Sequence, residues 1–188
     1  DAIRVGTDYY MTASSFEDVP GLPILHSKDL VNWSLIGHAL NRLHPVAHFS
    51  VPRHGEGVWA PSIRYHKNQF HIYYPDPDFG IYLVTAEHAA GPWSEPVLVQ
   101  AGKGLIDPCP FWDEDGEAYL VHAFAGSRAG LKSVLVMKKL NSEGTSVIDD
   151  GVIVYDGHAL DPTIEGPKIY KRNGWYYLFA PAGGVATG

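Results

Sequence analysis

Residues 169–179 read IYKRNGWYYLF, a short apolar strand that enters the turn pair Asn173-Gly174 and returns as a strand of aromatic residues. An Asn-Gly pair readily adopts the two positive φ angles of a type I′ turn, so the stretch is predicted to be a β-hairpin. Three more copies of the pattern align on Ile3, Ile63 and Phe111 and carry the turn pairs Thr7-Asp8, Lys67-Asn68 and Asp115-Gly116. Four hairpins of one kind therefore follow one another along the chain.

The spacing of the hairpins indicates what they build. The aligned residues lie 60, 48 and 58 residues apart, which is the length of a four-stranded propeller blade. Two similar segments, 32–36 (NWSLI) and 92–98 (PWSEPVL), fall late in the first two units and are predicted to be closing strands. We therefore predict an all-β fold, a β-propeller represented by three blades and the start of a fourth.

The predicted blades belong to a single domain that covers residues 1–188. They occupy about residues 1–50, 58–100, 105–155 and 160–188. A propeller closes on itself and has from about four to eight blades. We therefore expect this domain to be incomplete and the chain to be part of a longer one.

Composition agrees with an all-β domain and excludes several kinds of partner. The chain is 45% hydrophobic and 12% aromatic, which rules out a disordered protein. Its net charge of −7 argues against nucleic acid and anionic membranes as partners. No apolar run approaches the roughly 18 residues that a membrane span needs. The single cysteine, Cys109, allows no internal disulfide.

One position in the repeat brings chemically useful side chains together. The residue four places before the aligned apolar residue is Trp59 in copy two, Asp107 in copy three and Glu165 in copy four. In copy one the same position falls two residues upstream of Asp1. Because the inner strands of a propeller surround one axis, equivalent positions are predicted to meet at one end of the central channel.

Two neighbouring carboxyl groups beside an indole suit glycosidic bond cleavage. One carboxylic acid protonates the leaving oxygen while a carboxylate on the opposite face activates water. Proximity of like charges raises the pKa of at least one carboxyl group, and an aromatic face offers a platform for a sugar ring. The alternative is that Asp107 and Glu165 are turn residues whose carboxylates accept backbone N–H bonds, because Pro108 and Gly166-Pro167 follow them.

Several stretches, in order and over essentially the whole chain, resemble the family 43 glycoside hydrolases, the β-xylosidase and α-L-arabinofuranosidase group. They are residues 3–10 (IRVGTDYY), 14–17 (SSFE), 20–24 (PGLPI), 26–33 (HSKDLVNW), 57–63 (GVWAPSI), 107–108 (DP), 113–116 (DEDG) and 163–167 (TIEGP). The resemblance implies a five-bladed propeller that hydrolyses glycosides with inversion. By that resemblance the domain is catalytic, and its partner is an oligosaccharide of plant type.

The resemblance also implies roles for individual residues. Glu165 in the E-G-P motif matches the general acid, and Asp107 in the D-P motif matches the aspartate that tunes and orients that acid. Trp59 in the W-A-P motif and Phe16 in the S-S-F motif match residues that bind the sugar. The expected activity is the removal of β-xylosyl or α-L-arabinofuranosyl units. A non-catalytic carbohydrate-binding propeller and a related hydrolase of another glycan are the alternatives.

The general base is where the chain departs from the family pattern. In the family it is the first aspartate of a D-P-x segment, and Asp1 aligns with the third residue of that segment. The repeat places the equivalent position at the same point, just upstream of Asp1. We therefore predict that the base precedes Asp1 and that the chain as it stands hydrolyses poorly. A shift of two residues would make Asp1 the base but would break the alignment on the turn.

Metal binding and other sites have weaker support. The ten histidines form no H-x-H pair, and Asp113, Glu114 and Asp115 surround a hairpin turn without the remaining spacing of a calcium loop. No metal ligand and no required cofactor are predicted, although the resemblance leaves room for a structural calcium ion. Arg128 could contact a sugar hydroxyl or lie on the surface. The expected location is extracellular or periplasmic, with the cytoplasm as the alternative.

Overall fold

A computed structural model describes residues 1–184 of the protein. These residues form three four-stranded antiparallel sheets and one two-stranded sheet, each with its strands in chain order. The first sheet contains β1 (Ala2–Val5), β2 (Asp8–Thr12), β3 (Gly21–Ser27) and β4 (Ser34–Leu40). The second contains β5 (Ser62–His66), β6 (Gln69–Asp76), β7 (Gly80–Ala86) and β8 (Val97–Ala101). The third contains β9 (Leu105–Trp112), β10 (Ala118–Phe124), β11 (Val134–Leu140) and β12 (Val152–Asp156). The last contains β13 (Lys168–Arg172) and β14 (Trp175–Phe179).

The inner strand of each sheet is the first strand, and the inner strands lie side by side. Strand β5 contacts β1 and β9, and β9 also contacts β13. A cavity of about 530 Å³ lies between them and is lined by residues from all four, among them Ala2, Arg64, Trp112 and Lys171. This arrangement around one channel confirms the predicted all-β propeller, with three blades and the first hairpin of a fourth.

The hairpin turns follow the predicted chemistry in two of the four copies. Lys67 and Asn68 have φ angles of 48° and 61°, and Asn173 and Gly174 have 53° and 78°. Both pairs therefore form turns with two positive φ angles, as type I′ geometry requires. Lys67 adopts this conformation without being glycine or asparagine, because the flanking strand pairs leave only two residues for the turn.

The other two turns differ from the prediction. In copy one Val5 pairs with Asp8, so the turn residues are Gly6 and Thr7 rather than Thr7 and Asp8. Ile3 nevertheless packs in the same core cluster as Ile63, between blades one and two.

In copy three only Gly116 has a positive φ, at 88°, so Asp115-Gly116 is not a type I′ pair. The loop there is longer because the side chains of Asp113 and Asp115 accept the backbone N–H groups of Glu114 and Glu117.

The core consists of three apolar clusters that lie between neighbouring blades. The first packs Leu22 and Ile24 of blade one against Ile63 and Ile72 of blade two. A second cluster joins blades two and three, and its members include Tyr73, Leu83, Leu105 and Leu120. A third cluster joins blade three to the β13–β14 hairpin, and its members include Ile106, Val121, Leu135, Ile164 and Ile169. Burial between blades therefore fixes the inner strands around the channel.

Helical structure in residues 1–184 is limited to short segments. They include a 3₁₀ helix at His48–Ser50 and the helix α1 at Gly126–Ala129. No helix in this part of the chain is long and apolar enough to cross a membrane.

The core between blades two and three can be tested by shortening one side chain. Leu120 is 0% exposed in the second cluster, so Leu120→Ala should lower the free energy of unfolding by about 2–5 kcal/mol. The matched control is Leu160→Ala, because Leu160 is 83% exposed and its truncation should cost less than about 0.5 kcal/mol. Urea-induced unfolding measures both values. Equal losses for the two variants would contradict this assignment of the core.

Candidate active site

One wall of the site consists of the aromatic side chains of Phe16 and Trp59. A backbone contact between the segments that carry them brings the two residues together. Phe16 and Val58 form an antiparallel bridge, with the Phe16 N–H donating to the Val58 carbonyl at 2.9 Å and the Val58 N–H donating back at 3.0 Å. A Cβ at Gly57 would overlap the Phe16 carbonyl, so glycine permits this close approach. The Phe16 ring is 45% exposed, which leaves it available to a ligand.

Trp59 is held next to Phe16 by two hydrogen bonds. Its indole Nε1 donates to the Gly55 carbonyl at 3.0 Å, and its backbone N–H donates to the Pro75 carbonyl at 3.0 Å. The ring packs against the third core cluster, whose members include Ile106 and Ile164. Because these two residues directly precede Asp107 and Glu165, the indole lies on the side of the channel where the carboxyl groups are.

Asp107 and Glu165 are brought together by one backbone hydrogen bond. The Gly166 N–H donates to Asp107 Oδ2 at 2.8 Å, which joins β9 to the segment before β13. Both Asp107 and Gly166 have positive φ angles, 55° and 61°, which turn the chain so that this contact can form. Glu165 is fixed by its own N–H, which donates to the Pro181 carbonyl at 3.1 Å.

The two carboxyl groups differ in how they are satisfied. Asp107 is 7% exposed and accepts the Gly166 N–H, as the turn interpretation of this residue expected. Within residues 1–184 the Glu165 carboxyl accepts no hydrogen bond, and it is only half-buried. Glu165 is therefore the carboxyl group that is available to a ligand, while Asp107 is held behind it.

The electrostatics of the pair follow from burial and from the neighbouring charges. Burial raises the pKa of Asp107, although the Gly166 hydrogen bond and the charge of Lys168 oppose the rise. Burial also raises the pKa of Glu165; the Asp107 charge adds to that rise, and Lys132 opposes it. A carboxyl group with a raised pKa stays protonated at higher pH, which is what a general acid needs.

A cationic layer lies beneath the carboxyl pair. Arg64 donates from Nη1 to Asp1 Oδ2 at 2.5 Å and from Nη2 to the Cys109 sulfur at 2.9 Å. Lys168, partly buried, donates to the Pro167 carbonyl at 3.2 Å. Burial lowers the pKa of Lys168, and the neighbouring Cys109 and Asp107 oppose that effect. Of these cations, Lys168 favours the ionised carboxylate at Asp107.

Asp1 contributes a carboxylate that is bonded within this layer. Besides the bond from Arg64, its Oδ2 accepts the Ile63 N–H at 3.2 Å. One carboxylate oxygen of Asp1 is therefore engaged by two donors. That Asp1 is a neighbour of the base and not the base itself stays a prediction.

The structure thus groups all four residues predicted for the site. Phe16 and Trp59 form one wall, and Asp107 and Glu165 meet at the ends of the inner strands. The catalytic roles assigned to them stay predictions.

Sequence reasoning missed Arg64, Lys168 and the pairing of Asp78 with Arg128. Arg64 could have been noticed as a charge between apolar residues on a predicted inner strand. Lys168 directly follows the E-G-P motif. The ion pair of Asp78 with Arg128, at 3.0 Å, joins two loops and has no signal in the sequence pattern.

The described residues do not provide a metal site. No group of three or more His, Cys, Asp or Glu side chains that could hold a metal ion occurs within residues 1–184. Arg64, which lines the channel, would repel a cation there. The structural calcium ion that the resemblance leaves room for stays a prediction, and no chemical step is assigned to it.

Comparison with known proteins places this geometry in a family. The model of the glycosyl hydrolases family 43 matches residues 1–188. A putative β-xylosidase of Xylanibacter ruminicola is 42% identical over 188 residues, which is 100% of this chain and 34% of that protein. A non-reducing end α-L-arabinofuranosidase of Bacteroides ovatus is 37% identical over 97% of this chain and 33% of its own length. The chain spans about a third of the length of these relatives.

Solved structures agree. A xylan β-1,4-xylosidase from Bacillus halodurans superposes with a TM-score of 0.82 and 31% identity, over 98% of this chain and 36% of that one. A protein of family 43 retrieved from a capybara gut metagenome gives a TM-score of 0.84 and 34% identity, over 98% of this chain and 36% of its own. The likeness supports the fold class over nearly the whole chain.

The charge of Lys168 can be tested through its effect on Asp107. Because a nearby cation favours the ionised carboxylate, Lys168→Met should raise the pKa of Asp107. The matched control is Lys132→Met, which should raise the pKa of Glu165 instead. Both can be followed by carbon-13 NMR titration of the side-chain carboxyl signals. An unchanged Asp107 titration in Lys168→Met would show that Lys168 does not act on it.

Proposed function

The chain belongs to the glycosyl hydrolases family 43, and we propose that it is part of an inverting glycosidase acting on plant-type oligosaccharides. The units removed would be β-xylosyl or α-L-arabinofuranosyl groups, the two sugars named in the relatives. The observation that carries the proposal is the bond from the Gly166 N–H to Asp107, which sets a half-buried Glu165 beside a buried carboxylate. An oligosaccharide is the proposed partner, and the extracellular or periplasmic space is the proposed location.

In this mechanism Glu165 is the general acid. Its raised pKa favours the protonated carboxyl group, which donates its proton to the glycosidic oxygen as the bond breaks. Residues 1–184 donate no hydrogen bond to that carboxyl group, so proton transfer to the departing oxygen breaks none within this part of the chain.

Asp107 acts on Glu165 rather than on the sugar. Its negative charge disfavours ionisation of Glu165, and the Gly166 bond keeps the two residues in a fixed relation. Lys168 and the Gly166 N–H favour the ionised form of Asp107 despite its burial. Asp107 is thus proposed to tune the acid and to hold the loop that carries it.

The attacking water requires a base on the opposite face of the sugar. The proposed base is the residue two places before Asp1, as both the repeat and the family resemblance predict. The bonds that Asp1 accepts from Arg64 and Ile63 support this choice, because they already engage its Oδ2. Trp59 and Phe16 are proposed to bind the sugar between them.

The stereochemistry of the reaction tests the proposed function. The full-length protein should hydrolyse xylobiose or an aryl α-L-arabinofuranoside, and the first anomer released should be inverted, because water attacks directly. Proton NMR of the anomeric signals within the first minutes distinguishes the two anomers before they equilibrate. Retention would overturn the mechanism. Sugar binding with no hydrolysis would favour a carbohydrate-binding propeller.

The acid role of Glu165 predicts a dependence on the leaving group. Glu165→Gln cannot donate a proton, so kcat/KM should fall by about 10²–10⁴ for xylobiose and far less for dinitrophenyl xyloside, whose leaving group needs no protonation. The control is Glu117→Gln, an exposed residue paired with Lys139, which should leave both rates unchanged. Equal losses on the two substrates would assign Glu165 a role other than proton donation.

A further inference from the structure

Helix α1 lies in the loop between β10 and β11 and is anchored to the segment just before β9, the inner strand of the same blade. The Ala125 N–H donates to the Gly104 carbonyl at 2.8 Å. A Cβ at Gly104 would lie 2.5 Å from the backbone nitrogen of Ala129, so only glycine allows α1 to pack this closely. The helix ends at Gly130, which adopts a left-handed conformation with φ 67°. The position of α1 is therefore set by backbone contacts.

Arg128 projects from α1 onto Trp59. Its guanidinium carbon lies over the indole at 5.7 Å from the ring centroid, within the range of a cation–π contact. Its Nε donates to Asp78 Oδ1 at 3.0 Å, and Nη1 donates to Ser127 Oγ at 3.3 Å. The Arg128 and Asp78 side chains are 29% and 21% exposed, so the pair is partly shielded from water.

Asp78 is itself held in place by the loop after β6. Its backbone N–H donates to Asp76 Oδ1 at 3.0 Å, and Asp76 is 2% exposed. The Arg128 guanidinium thus spans from a fixed carboxylate to the face of an aromatic ring. Because Arg128 is already bonded at both Nε and Nη1, its guanidinium is held in place. Its contact with the indole therefore restrains the ring.

Trp59 needs such a restraint because its other contacts leave the ring partly free. The indole has a single hydrogen bond, from Nε1 to the Gly55 carbonyl, and the partly buried residue packs against the third core cluster. Gly55 belongs to an exposed loop and is fixed by Glu17, whose carboxylate accepts the Gly55 N–H at 3.2 Å. Arg128 adds the contact with the face of the ring.

We propose that Arg128, held by Asp78, is a positioning residue that fixes the plane of the Trp59 indole so that its remaining surface receives the sugar ring. The inference rests on the proposed function, since it gives Trp59 a sugar to bind. It differs from a direct contact between Arg128 and a sugar hydroxyl, because here Arg128 acts entirely through Trp59. It assigns substrate affinity to a residue of blade three that does not touch the carboxyl pair.

A double-mutant cycle in the full-length protein separates these two modes of action. The variants are Arg128→Met, Trp59→Ala and the two combined, with an aryl xyloside as substrate. Arg128→Met should raise KM about threefold to tenfold, the size of a partly shielded cation–π contact, and leave kcat within about twofold. In the Trp59→Ala background the same change should have no effect on KM, because its target is gone.

The matched control is Arg4→Met. Arg4 also lies over an aromatic ring, at 5.9 Å from the centroid of Tyr9, but it belongs to the hairpin end of blade one. It should leave KM and kcat unchanged. Arg128→Lys keeps the charge and loses the planar group, so it should restore part of the affinity. Effects of Arg128→Met and Trp59→Ala that add up independently would overturn the proposal in favour of a direct sugar contact.

A readout without turnover distinguishes failure of this inference from failure of the proposed function. The Trp59 indole N–H signal, identified by its loss in Trp59→Ala, should shift in the nitrogen-15 NMR spectrum of Arg128→Met in the absence of any sugar. An unmoved signal would overturn the positioning role whatever the enzyme does. A shifted signal in a protein that hydrolyses no xyloside or arabinofuranoside would support the role of Arg128 and reject the glycosidase.

Discussion

The hydrogen bond from the Gly166 N–H to Asp107 Oδ2 is the contact on which the site depends. It joins the inner strand of blade three to the segment that leads into blade four, at 2.8 Å. Asp107 adopts a left-handed backbone at φ 55°, which costs a non-glycine residue about 1–3 kcal/mol. A charge-assisted bond to a buried carboxylate offsets much of that cost. The bond therefore stabilises the turn at Asp107 and, together with the bond from the Glu165 N–H to Pro181, the position of Glu165.

Burial of Asp107 creates a second requirement, which the cations beneath it meet. A carboxylate that is 7% exposed needs hydrogen bonds or opposite charge to stay ionised. Lys168 supplies positive charge. Arg64 extends this layer and donates hydrogen bonds to the Asp1 carboxylate, to the carbonyl of the preceding residue Ile63 and to the Cys109 sulfur. Arg64 thereby links the start of blade one to blades two and three. The Arg64 guanidinium, which joins the inner strands, thus also belongs to the layer of positive charge near Asp107.

The fold and the carboxyl pair could be predicted from the sequence because both follow from one repeat. The offset of four residues places Trp59, Asp107 and Glu165 at equivalent points, and inner strands around one axis bring such points together. The turn at Asn173-Gly174 was also predictable, because its residue types select its geometry. The turn at Asp115-Gly116 was not, because the side chains of Asp113 and Asp115 lengthen that loop. The contact of Arg128 with Trp59 depends on how a loop packs on Gly104, which no pattern in the chain encodes.

The residues proposed to carry out the chemistry and those proposed to bind the sugar lie in different parts of the fold. Asp107 and Glu165 lie at the ends of inner strands, where pairing and core packing leave little freedom. Phe16 lies in a loop bonded to Val58 of blade two, Trp59 is bonded to Pro75 of its own blade, and Arg128 lies on the short helix α1. A substitution in these loops can change the walls of the site while the hydrogen bond between Gly166 and Asp107 stays in place. We expect such a substitution to cost the fold little, because Phe16 and Arg128 do not belong to the three core clusters described and Trp59 only packs against one of them.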